Sequence, residues 1–412
     1  MTESIETIII GAGQAGLSLS HYVNQVGMEH LVLEKASQVA DAWRNRRWDS
    51  FTLVTPNWTF QLPGAVYDGP EPDGFMTRGQ IVQRFDRFEQ ENQFPIQFST
   101  TVAKVEPQDG LHRYRVITNR GTYTARNVIM ATGMFQKVKI PPFASQFPEN
   151  ILQIPSDAYK NPQSLPPGAV LVVGSGQSGC QIAEELSEAG RKVFLSTSSA
   201  GRISRRYRGK DVVYWMNQIK FFDRTPEMLP SPGDRLKAPP HATGKDGGHD
   251  INLRTFRKNG IVLLGHIRGF ENGALIFAPD LAENLAQADG FSATLLKLID
   301  EYIFREGLDI PFQPMDAGED NQPESVITSL KPDVNQIQTI IWACGFTMEN
   351  IVELPAFDEF GLPISDRGVT RFPGLYFLGM LWMNKFKSGL LLGIDESARY
   401  LAETLVQNKT AR

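Results

Sequence analysis

The sequence contains little cysteine and no long apolar run. Only Cys180 and Cys344 occur among its 412 residues, which is too few for a disulfide framework and is typical of a reducing compartment. No run of about 18 apolar residues is present, so no membrane span is predicted. The first apolar run, residues 8–10, is too short for the apolar core of a signal peptide. These absences predict a location in the cytoplasm.

The sequence also lacks the patterns of metal sites and nucleic-acid binders. Its six histidines show neither H-x-x-H nor H-E-x-x-H spacing, so no metal site is predicted. The net charge of -5 argues against nucleic acid as a partner, since such binding depends on clustered Lys and Arg. With 41% hydrophobic residues, the chain has the composition of a globular protein with two or three cores.

Two glycine-rich turns stand out against this background. Residues 8–16 read "IIIGAGQAG" and residues 171–180 read "LVVGSGQSGC". In each, a short apolar strand runs into G-x-G-x-x-G and then into apolar residues at helical spacing. Glycine permits a tight turn and close approach of a pyrophosphate, which meets the N–H groups of the following helix. The glycines are Gly11, Gly13 and Gly16 in the first turn and Gly174, Gly176 and Gly179 in the second.

The strand that follows each turn indicates which dinucleotide binds there. Residues 30–34, "HLVLE", end in Glu34, whose carboxylate suits the hydroxyls of a ribose. The corresponding second strand, "KVFLSTSS", ends without an acid and is followed by "GRISRRYRGK". Hydroxyls and arginines favour a 2′-phosphate and therefore NADP, with Thr197, Arg205 and Arg206 as the candidates. A solvated basic loop is the alternative for each arginine.

A chain that holds two dinucleotides is most simply explained by hydride transfer between them, so FAD is predicted at the first turn. The chain returns to strand-then-glycine segments at "TIIWACGF" and "GLYFLGM". The predicted fold class is α/β, with two Rossmann-like three-layer domains. The NADP domain, residues 161–325, is inserted in a discontinuous FAD domain formed by residues 1–160 and 326–412.

The chain resembles the single-component flavin-containing monooxygenases, in the branch that includes plant indole-pyruvate monooxygenases. It is also similar to bacterial flavoproteins associated with cation transport. The resemblance covers nearly the whole chain and rests on both glycine turns, "WRNRRWDSFTLVTP", "VIMATG", "IIWACGF" and "GLYFLGM" followed by "KSGLLLGIDESA".

The resemblance implies a set of cofactor-binding residues. The helix after Leu391 is expected to direct its N-terminus at the flavin, where its dipole would stabilise the reduced anion. The residues implied for FAD are Gly11, Gly13, Gln14, Ala15, Gly16, Glu34, Lys35, Trp43, Arg44, Val102, Ala131, Thr132, Gly133, Gly379 and Leu392. Those implied for NADP are Gly174, Ser175, Gly176, Gln177, Ser178, Gly179, Thr197, Arg205 and Arg206.

Catalytic roles are expected for Arg44 and Asn57, although Pro56 stands where the family asparagine would fall. Many oxygenating relatives carry F-x-G-x-x-x-H in the linker before the second turn. Here Phe147 is kept, but Glu149 and Gln153 replace the glycine and the histidine. This departure weakens an assignment to Baeyer–Villiger oxidation or amine hydroxylation.

Three further features allow a functional and a structural interpretation. Cys180 follows a helix N-terminus, which lowers a thiol pKa, but a small buried cysteine is the commoner case and no C-x-x-C dithiol exists. His249 is either a proton shuttle or a loop histidine bonded to Asp250 or backbone. Residues 212–222 are a lid, a channel wall, a membrane-contacting helix or ordinary core or interface packing, and packing is favoured.

The predicted function is an NADPH-dependent monooxygenase that oxygenates a small organic molecule with molecular oxygen, through a C4a-(hydro)peroxyflavin. An NADPH-dependent flavin oxidoreductase or oxidase without a stable oxygenated flavin is the alternative, and a non-catalytic redox sensor is a third class. Loops 41–75 and 205–250 are expected to line the pocket. The sequence leaves open whether the chain forms a homodimer.

Overall fold

The computed structural model describes residues 2–314 and 326–410. The helices are α1 (Gln14–Gln25), α2 (Asp41–Arg44), α3 (Arg78–Asn92), α4 (Gln177–Glu188), α5 (Val212–Gln218), α6 (Leu253–Lys258), α7 (Leu281–Arg305) and α8 (Ile394–Thr410). The strands are β1 (Thr2–Ile10), β2 (His30–Leu33), β3 (Gln61–Leu62), β4 (Ala65–Val66), β5 (Ile96–Gln97), β6 (Val102–Pro107), β7 (Tyr114–Thr118), β8 (Gly121–Met130), β9 (Lys137–Val138), β10 (Leu152–Pro155), β11 (Ala169–Val173), β12 (Val193–Ser196), β13 (Arg206–Tyr207), β14 (Lys210–Asp211), β15 (Val262–Leu264), β16 (Ile267–Glu271), β17 (Ala274–Phe277), β18 (Ser329–Leu330), β19 (Ile337–Trp342), β20 (Phe346–Thr347) and β21 (Leu375–Phe377).

The first sheet is built from both ends of the chain. Its order is β5-β2-β1-β8-β7-β6, and β21 also pairs with β8. Strand β1 is parallel to β2 and β8, with Ile9 level with Val32 on one side and Ile129 on the other. Tyr376 of β21 then lies level with Ile129. The helix α1 contacts the C-terminal helix α8, so the unit around the first turn needs both ends of the sequence.

The second sheet has five strands, all parallel, in the order β10-β19-β11-β12-β15. Its central strand β11 is buried along its whole length, as expected when both faces of a parallel sheet are covered. These two sheets confirm the predicted α/β class. Strands β10 and β19 of this sheet lie outside the predicted bounds 161–325. Their pairing favours wider bounds for the inserted unit, and the division into domains stays a prediction.

Two local features have causes within a short stretch of sequence. Helix α3 begins after Thr77, whose side chain accepts a hydrogen bond from the backbone N–H of Gln80. The Gln80 side chain in turn accepts a hydrogen bond from the backbone N–H of Thr77, which completes a capping box. The apolar stretch 212–222 packs inside the protein, where the Trp215 ring is 1% exposed and donates to the carbonyl of Tyr207. Among the described helices, none is both long and apolar enough to cross a membrane.

A buried histidine gives the fold a predictable response to acid. His241 is fully buried, and loss of hydration lowers its pKa from 6.5 to about 4. Below pH 6.5 the unfolded chain therefore binds a proton that the folded protein does not. This difference leaves the free energy of unfolding undiminished above pH 6.5. As the pH falls from 6.5 towards 4, it lowers the free energy of unfolding by roughly 3 kcal/mol in all.

We expect His241→Met to flatten the decline in the free energy of unfolding between pH 6.5 and pH 4, measured by urea denaturation. The matched control is His266→Met, because His266 is exposed. Equal pH slopes in the wild type and in His241→Met would contradict the assignment of this acid sensitivity to His241.

Candidate functional site

The first glycine turn has the shape that a pyrophosphate needs. Gly11 has a φ of +109°, and a Cβ there would lie 2.8 Å from the carbonyl oxygen of Ala131. A Cβ on Gly16 would lie 1.9 Å from the carbonyl oxygen of Gly11, so strand and helix approach too closely for a side chain. A Cβ on Gly13, in contrast, would meet no atom within 4 Å. The turn is therefore tight on the protein side and open above Gly13, where α1 begins.

Glu34 ends β2 beside this turn. Its two carboxylate oxygens accept hydrogen bonds from the backbone N–H groups of Ala12, at 2.7 Å, and Ala36, at 2.8 Å. Each oxygen keeps a further lone pair for a hydroxyl donor, so the buried carboxylate is oriented and still able to bind a ribose. Lys35 is exposed next to it.

The far end of the chain returns to cover the first turn. A Cβ on Gly379 would lie 2.5 Å from the Cβ of Ala15. The Gln14 side chain donates to the carbonyl of Gly389 at 2.5 Å. Residue Leu392 is half-buried just before α8. The sequence motif "GLYFLGM" and the segment before α8 are thereby brought to the turn, as the resemblance implies.

The remaining residues expected near FAD lie at two strand ends of the same sheet. Ala131 is buried and donates its N–H to Ile10, and Thr132 and Gly133 continue the chain after β8. Val102 starts β6 and pairs with Thr118. Their contact with a cofactor stays a prediction.

The two residues expected to be catalytic make contacts of another kind. Arg44 donates to Asp86 of α3 at 2.5 Å, and Trp43 beside it is half-buried. Asn57 is 3% exposed; its amide nitrogen donates to the carbonyl of Glu71 at 2.9 Å, and its amide oxygen accepts from Met76 N–H at 2.6 Å. Both ends of the Asn57 amide hold a loop, which favours a structural role for it.

The second glycine turn repeats the geometry of the first. Gly174 has a φ of +105°, and a Cβ there would lie 2.4 Å from the carbonyl oxygen of Ala343. A Cβ on Gly179 would lie 1.8 Å from the carbonyl oxygen of Gly174. At Gly176 the nearest atom to a Cβ is the Cβ of Ala238, 3.9 Å away. This turn too is open at its middle glycine, and α4 follows it.

Part of the predicted loop 205–250, residues 242–249, lies along α4. Four α4 side chains at helical spacing, beginning with Gln177, hold it. The Gln177 side chain donates a hydrogen bond to the carbonyl of Ala242 at 2.6 Å and accepts one from the backbone N–H of Ala242 at 3.2 Å. The other pairs are Gln181 with Thr243, Glu184 with His249 at 2.8 Å, and Glu188 with Lys245. His249 is thus bonded to Glu184, which raises its pKa. Its other ring nitrogen lies 3.3 Å from the backbone carbonyl of Lys245, in agreement with the predicted loop histidine bonded to backbone.

Of the residues predicted to bind a 2′-phosphate, two are engaged elsewhere. Arg205 is 1% exposed: it pairs with Asp211 at 2.6 Å, donates to the carbonyl of Val54 at 2.7 Å and lies 4.3 Å from the Phe75 ring. It therefore joins the second unit to the segment 51–76 of the first. Thr197 is buried and donates to the carbonyl of Leu264.

Of the other residues predicted for NADP, Arg206 and Ser178 are partly exposed, whereas Ser175 is buried. The side chain of Arg206 is 50% exposed, with Asp211 at 3.4 Å and the carbonyl of Gly247 at 3.2 Å. Ser175 of the turn accepts the N–H of Ser198 at 2.9 Å, which ties the turn to the end of β12. Ser178 is half-buried in the first turn of α4.

Burial disfavours the thiolate form of both cysteines. Cys180 is fully buried, which raises its thiol pKa far above the ordinary value. Burial raises the pKa of Cys344 to about 11. Within residues 2–314 and 326–410, no group of three or more His, Cys, Asp or Glu could hold a metal ion.

Comparison with known proteins identifies the family. Residues 8–220, more than half of the chain, match the pyridine nucleotide-disulphide oxidoreductase family. An uncharacterized CzcO-like oxidoreductase of Geobacillus kaustophilus is 31% identical, covering 99% of this chain and 100% of the relative. The plant protein YUCCA3 of Arabidopsis thaliana, a probable indole-3-pyruvate monooxygenase, is 28% identical over 48% of this chain and 47% of its own.

Solved structures agree on the fold. A flavin-containing monooxygenase from Stenotrophomonas maltophilia covers 99% of this chain and 100% of its own, with a TM-score of 0.66 and 19% identity. A cyclohexanone monooxygenase covers 99% of this chain with a TM-score of 0.58. These likenesses confirm the fold with two Rossmann-like units. The chain belongs to the pyridine nucleotide-disulphide oxidoreductase family, together with the CzcO-like oxidoreductases, and the resemblance predicted from its sequence is confirmed.

Proposed function

We propose that the protein is an FAD- and NADPH-dependent monooxygenase acting on a small organic molecule. The observation that carries the proposal is the pair of glycine turns, each closed against its own sheet and open above its middle glycine, at Gly13 and Gly176. Two dinucleotides held by one chain suit hydride transfer from NADPH to a flavin.

The residues of the first turn fit FAD. The N–H groups at the start of α1 would meet its pyrophosphate, and Glu34 would accept the ribose hydroxyls. Gln14 would fix the segment that includes Gly389 over the turn, since it already bonds to that carbonyl. When bound, the flavin supplies the redox chemistry, and the protein supplies position, orientation and exclusion of water.

Oxygen is favoured as the acceptor of the electrons because the sequence contains no pair of neighbouring cysteines that could accept them. Its two cysteines are far apart in sequence, free and buried or half-buried, so a dithiol relay like that of many disulfide reductases is missing. The names of the plant relative and of the Stenotrophomonas enzyme support oxygenation. The replaced linker histidine stands against it: Gln153 instead bonds to the carbonyl of Ala144 and accepts the N–H of the Trp342 ring.

A first prediction concerns the flavin. The purified protein should carry one FAD per chain, and Gly13→Leu should give colourless protein, because the side chain fills the space above the turn. Gly290→Leu is the matched control, since a Cβ at this exposed glycine of α7 also meets no atom within 4 Å. The visible spectrum measures the flavin content, and a wild type without flavin after reconstitution would refute the proposal.

A second prediction distinguishes the role of Arg206 from that of Arg205. Arg206→Ala should raise the KM for NADPH about tenfold or more and leave that for NADH nearly unchanged, because a charge-assisted phosphate contact contributes roughly 1.5–3 kcal/mol. Arg205→Gln should slow flavin reduction by both coenzymes alike, because it loosens the junction with Val54. Steady-state kinetics with both coenzymes check this, and a wild type that prefers NADH would contradict the NADP assignment.

A third prediction concerns oxygen. When oxygen is mixed with the NADPH-reduced protein, we expect a transient oxygenated flavin that absorbs in the near ultraviolet and decays slowly, since apolar surroundings hinder its hydrolysis. Stopped-flow spectroscopy measures it. Immediate return to oxidised flavin with stoichiometric hydrogen peroxide, with and without candidate substrates, would instead support the oxidase or reductase alternative.

A further inference from the structure

Residues 221–224 of the inserted unit contact the C-terminal part of the chain. They follow α5 closely in sequence. The carbonyl of Arg224 accepts a hydrogen bond from the backbone N–H of Phe386 at 2.8 Å. The ring of Phe222 is nearly parallel to that of Phe386, with 6.1 Å between the ring centres and 4° between the ring planes. These contacts join two segments that are far apart in sequence.

The centre of this contact is aromatic. The side chains of Phe221, Phe222 and Phe386 are all buried. The guanidinium of Arg224 lies over them, with its Cζ atom 3.6 Å from the centre of the Phe221 ring and 5.9 Å from that of Phe386. A cation over an aromatic face is attracted to the ring in addition to packing against it. Buried rings and this attraction therefore hold residues 221–224 against Phe386.

Two ion pairs flank the aromatic rings. The carboxylate of Asp223 lies 2.9 Å from the Nζ atom of Lys387 and 3.4 Å from that of Lys385. Lys385 also pairs with Glu396, in the first turn of α8, at 2.7 Å. Asp223 is therefore tied to the residues on both sides of Phe386, and through Lys385 to the beginning of α8.

The segment that receives these contacts has an unusual backbone conformation. Trp382 has a φ of +62°, a left-handed conformation that a bulky residue rarely adopts. Its backbone N–H donates to the carbonyl of Lys385 at 3.0 Å, and its ring centre lies 4.9 Å from that of Phe386. A strained conformation persists only where the surrounding contacts enforce it. The contact of Trp382 with Phe386 is one of these restraints, and residues 221–224 hold Phe386 in place.

The same segment closes the first glycine turn. Beyond Phe386, the carbonyl of Gly389 accepts the hydrogen bond from the Gln14 side chain at the start of α1. A Cβ on Gly389 would lie 2.8 Å from the carbonyl oxygen of Gly379, and Gly379 lies against α1 as well. The chain between these two glycines therefore runs from the first turn to residues 221–224 and back.

We propose that residues 221–224 are positioning residues for FAD, because they hold residues 380–389 in the arrangement that closes the first glycine turn. The proposal rests on the proposed function, since it takes FAD to be the molecule bound there. These residues act through Phe386 and Gly389 and not by touching the cofactor. The inserted unit, which carries the second glycine turn, thus completes the FAD site as well.

A charge reversal tests this inference on the holoprotein. Asp223→Lys should weaken FAD binding about tenfold or more, because it replaces two ion pairs with repulsion from Lys385 and Lys387. Ultrafiltration of the diluted holoprotein, followed by the fluorescence of the released FAD, gives the dissociation constant. An unchanged FAD affinity in Asp223→Lys would overturn the proposal.

A compensating substitution distinguishes positioning from a general loss of stability. Adding Lys387→Asp to Asp223→Lys restores a pair of opposite charges at the same place. The double variant should regain most of the lost affinity, together with the visible circular dichroism spectrum of the flavin in the wild type. Loss of FAD that the second substitution does not reverse would contradict a role for this ion pair.

The matched control is an acid whose ion pairs stay within the inserted unit. The side chains of Asp289 and Asp223 are both 29% exposed, but Asp289 pairs with Arg202 and Arg254. Asp223→Asn should weaken FAD binding severalfold, whereas Asp289→Asn should leave it unchanged. Equal effects of these two variants would count against the proposal. A wild type that binds no FAD would instead refute the proposed function.

Discussion

Close backbone approach at the two glycine turns is the constraint on which the rest of the structure depends. Gly11 lies against the carbonyl of Ala131, and Gly174 lies against the carbonyl of Ala343. In the first unit the strand that leads into the turn is β1, and the Ala131 carbonyl comes directly after its parallel neighbour β8. In the second unit the strand is β11, and the Ala343 carbonyl comes directly after its parallel neighbour β19. A side chain at either glycine would push the two strands apart, so the position of each helix N-terminus is set by this contact.

The likeness between the two units explains why the turns and their surroundings could be predicted from the sequence. Each depends on a short local pattern: a strand that enters the glycines, and a second strand that ends in Ala-x-Gly at residues 131–133 and 343–345. Cys344 occupies the place that Thr132 has in the first unit, which is why it packs at a strand end. Helix α3 is likewise determined locally, since its capping box and its apolar face lie within one segment.

The parts that could not be predicted depend on partners that are distant in sequence. Arg205 was expected at a phosphate because it stands in a basic run, but the Val54 carbonyl and the Phe75 ring give it a buried position. A buried guanidinium is retained only where charge and hydrogen bonds compensate for lost hydration, and Asp211 supplies that charge. The Val54 contact spans 151 residues of sequence, so a local sequence pattern does not encode it.

The contacts between the two units bear on how the two halves of the proposed reaction fit together. The loop held by α4 contacts the first unit, since a Cβ on Gly244 would lie 2.1 Å from the carbonyl oxygen of Leu53. The same segment of the first unit carries Val54 and is joined to Arg205. The contacts of the second turn therefore extend through α4 and this loop to residues 51–76. Because the loop is bonded to α4 at four places, the helix that follows the second turn helps to hold the loop against residues 51–76 of the first unit.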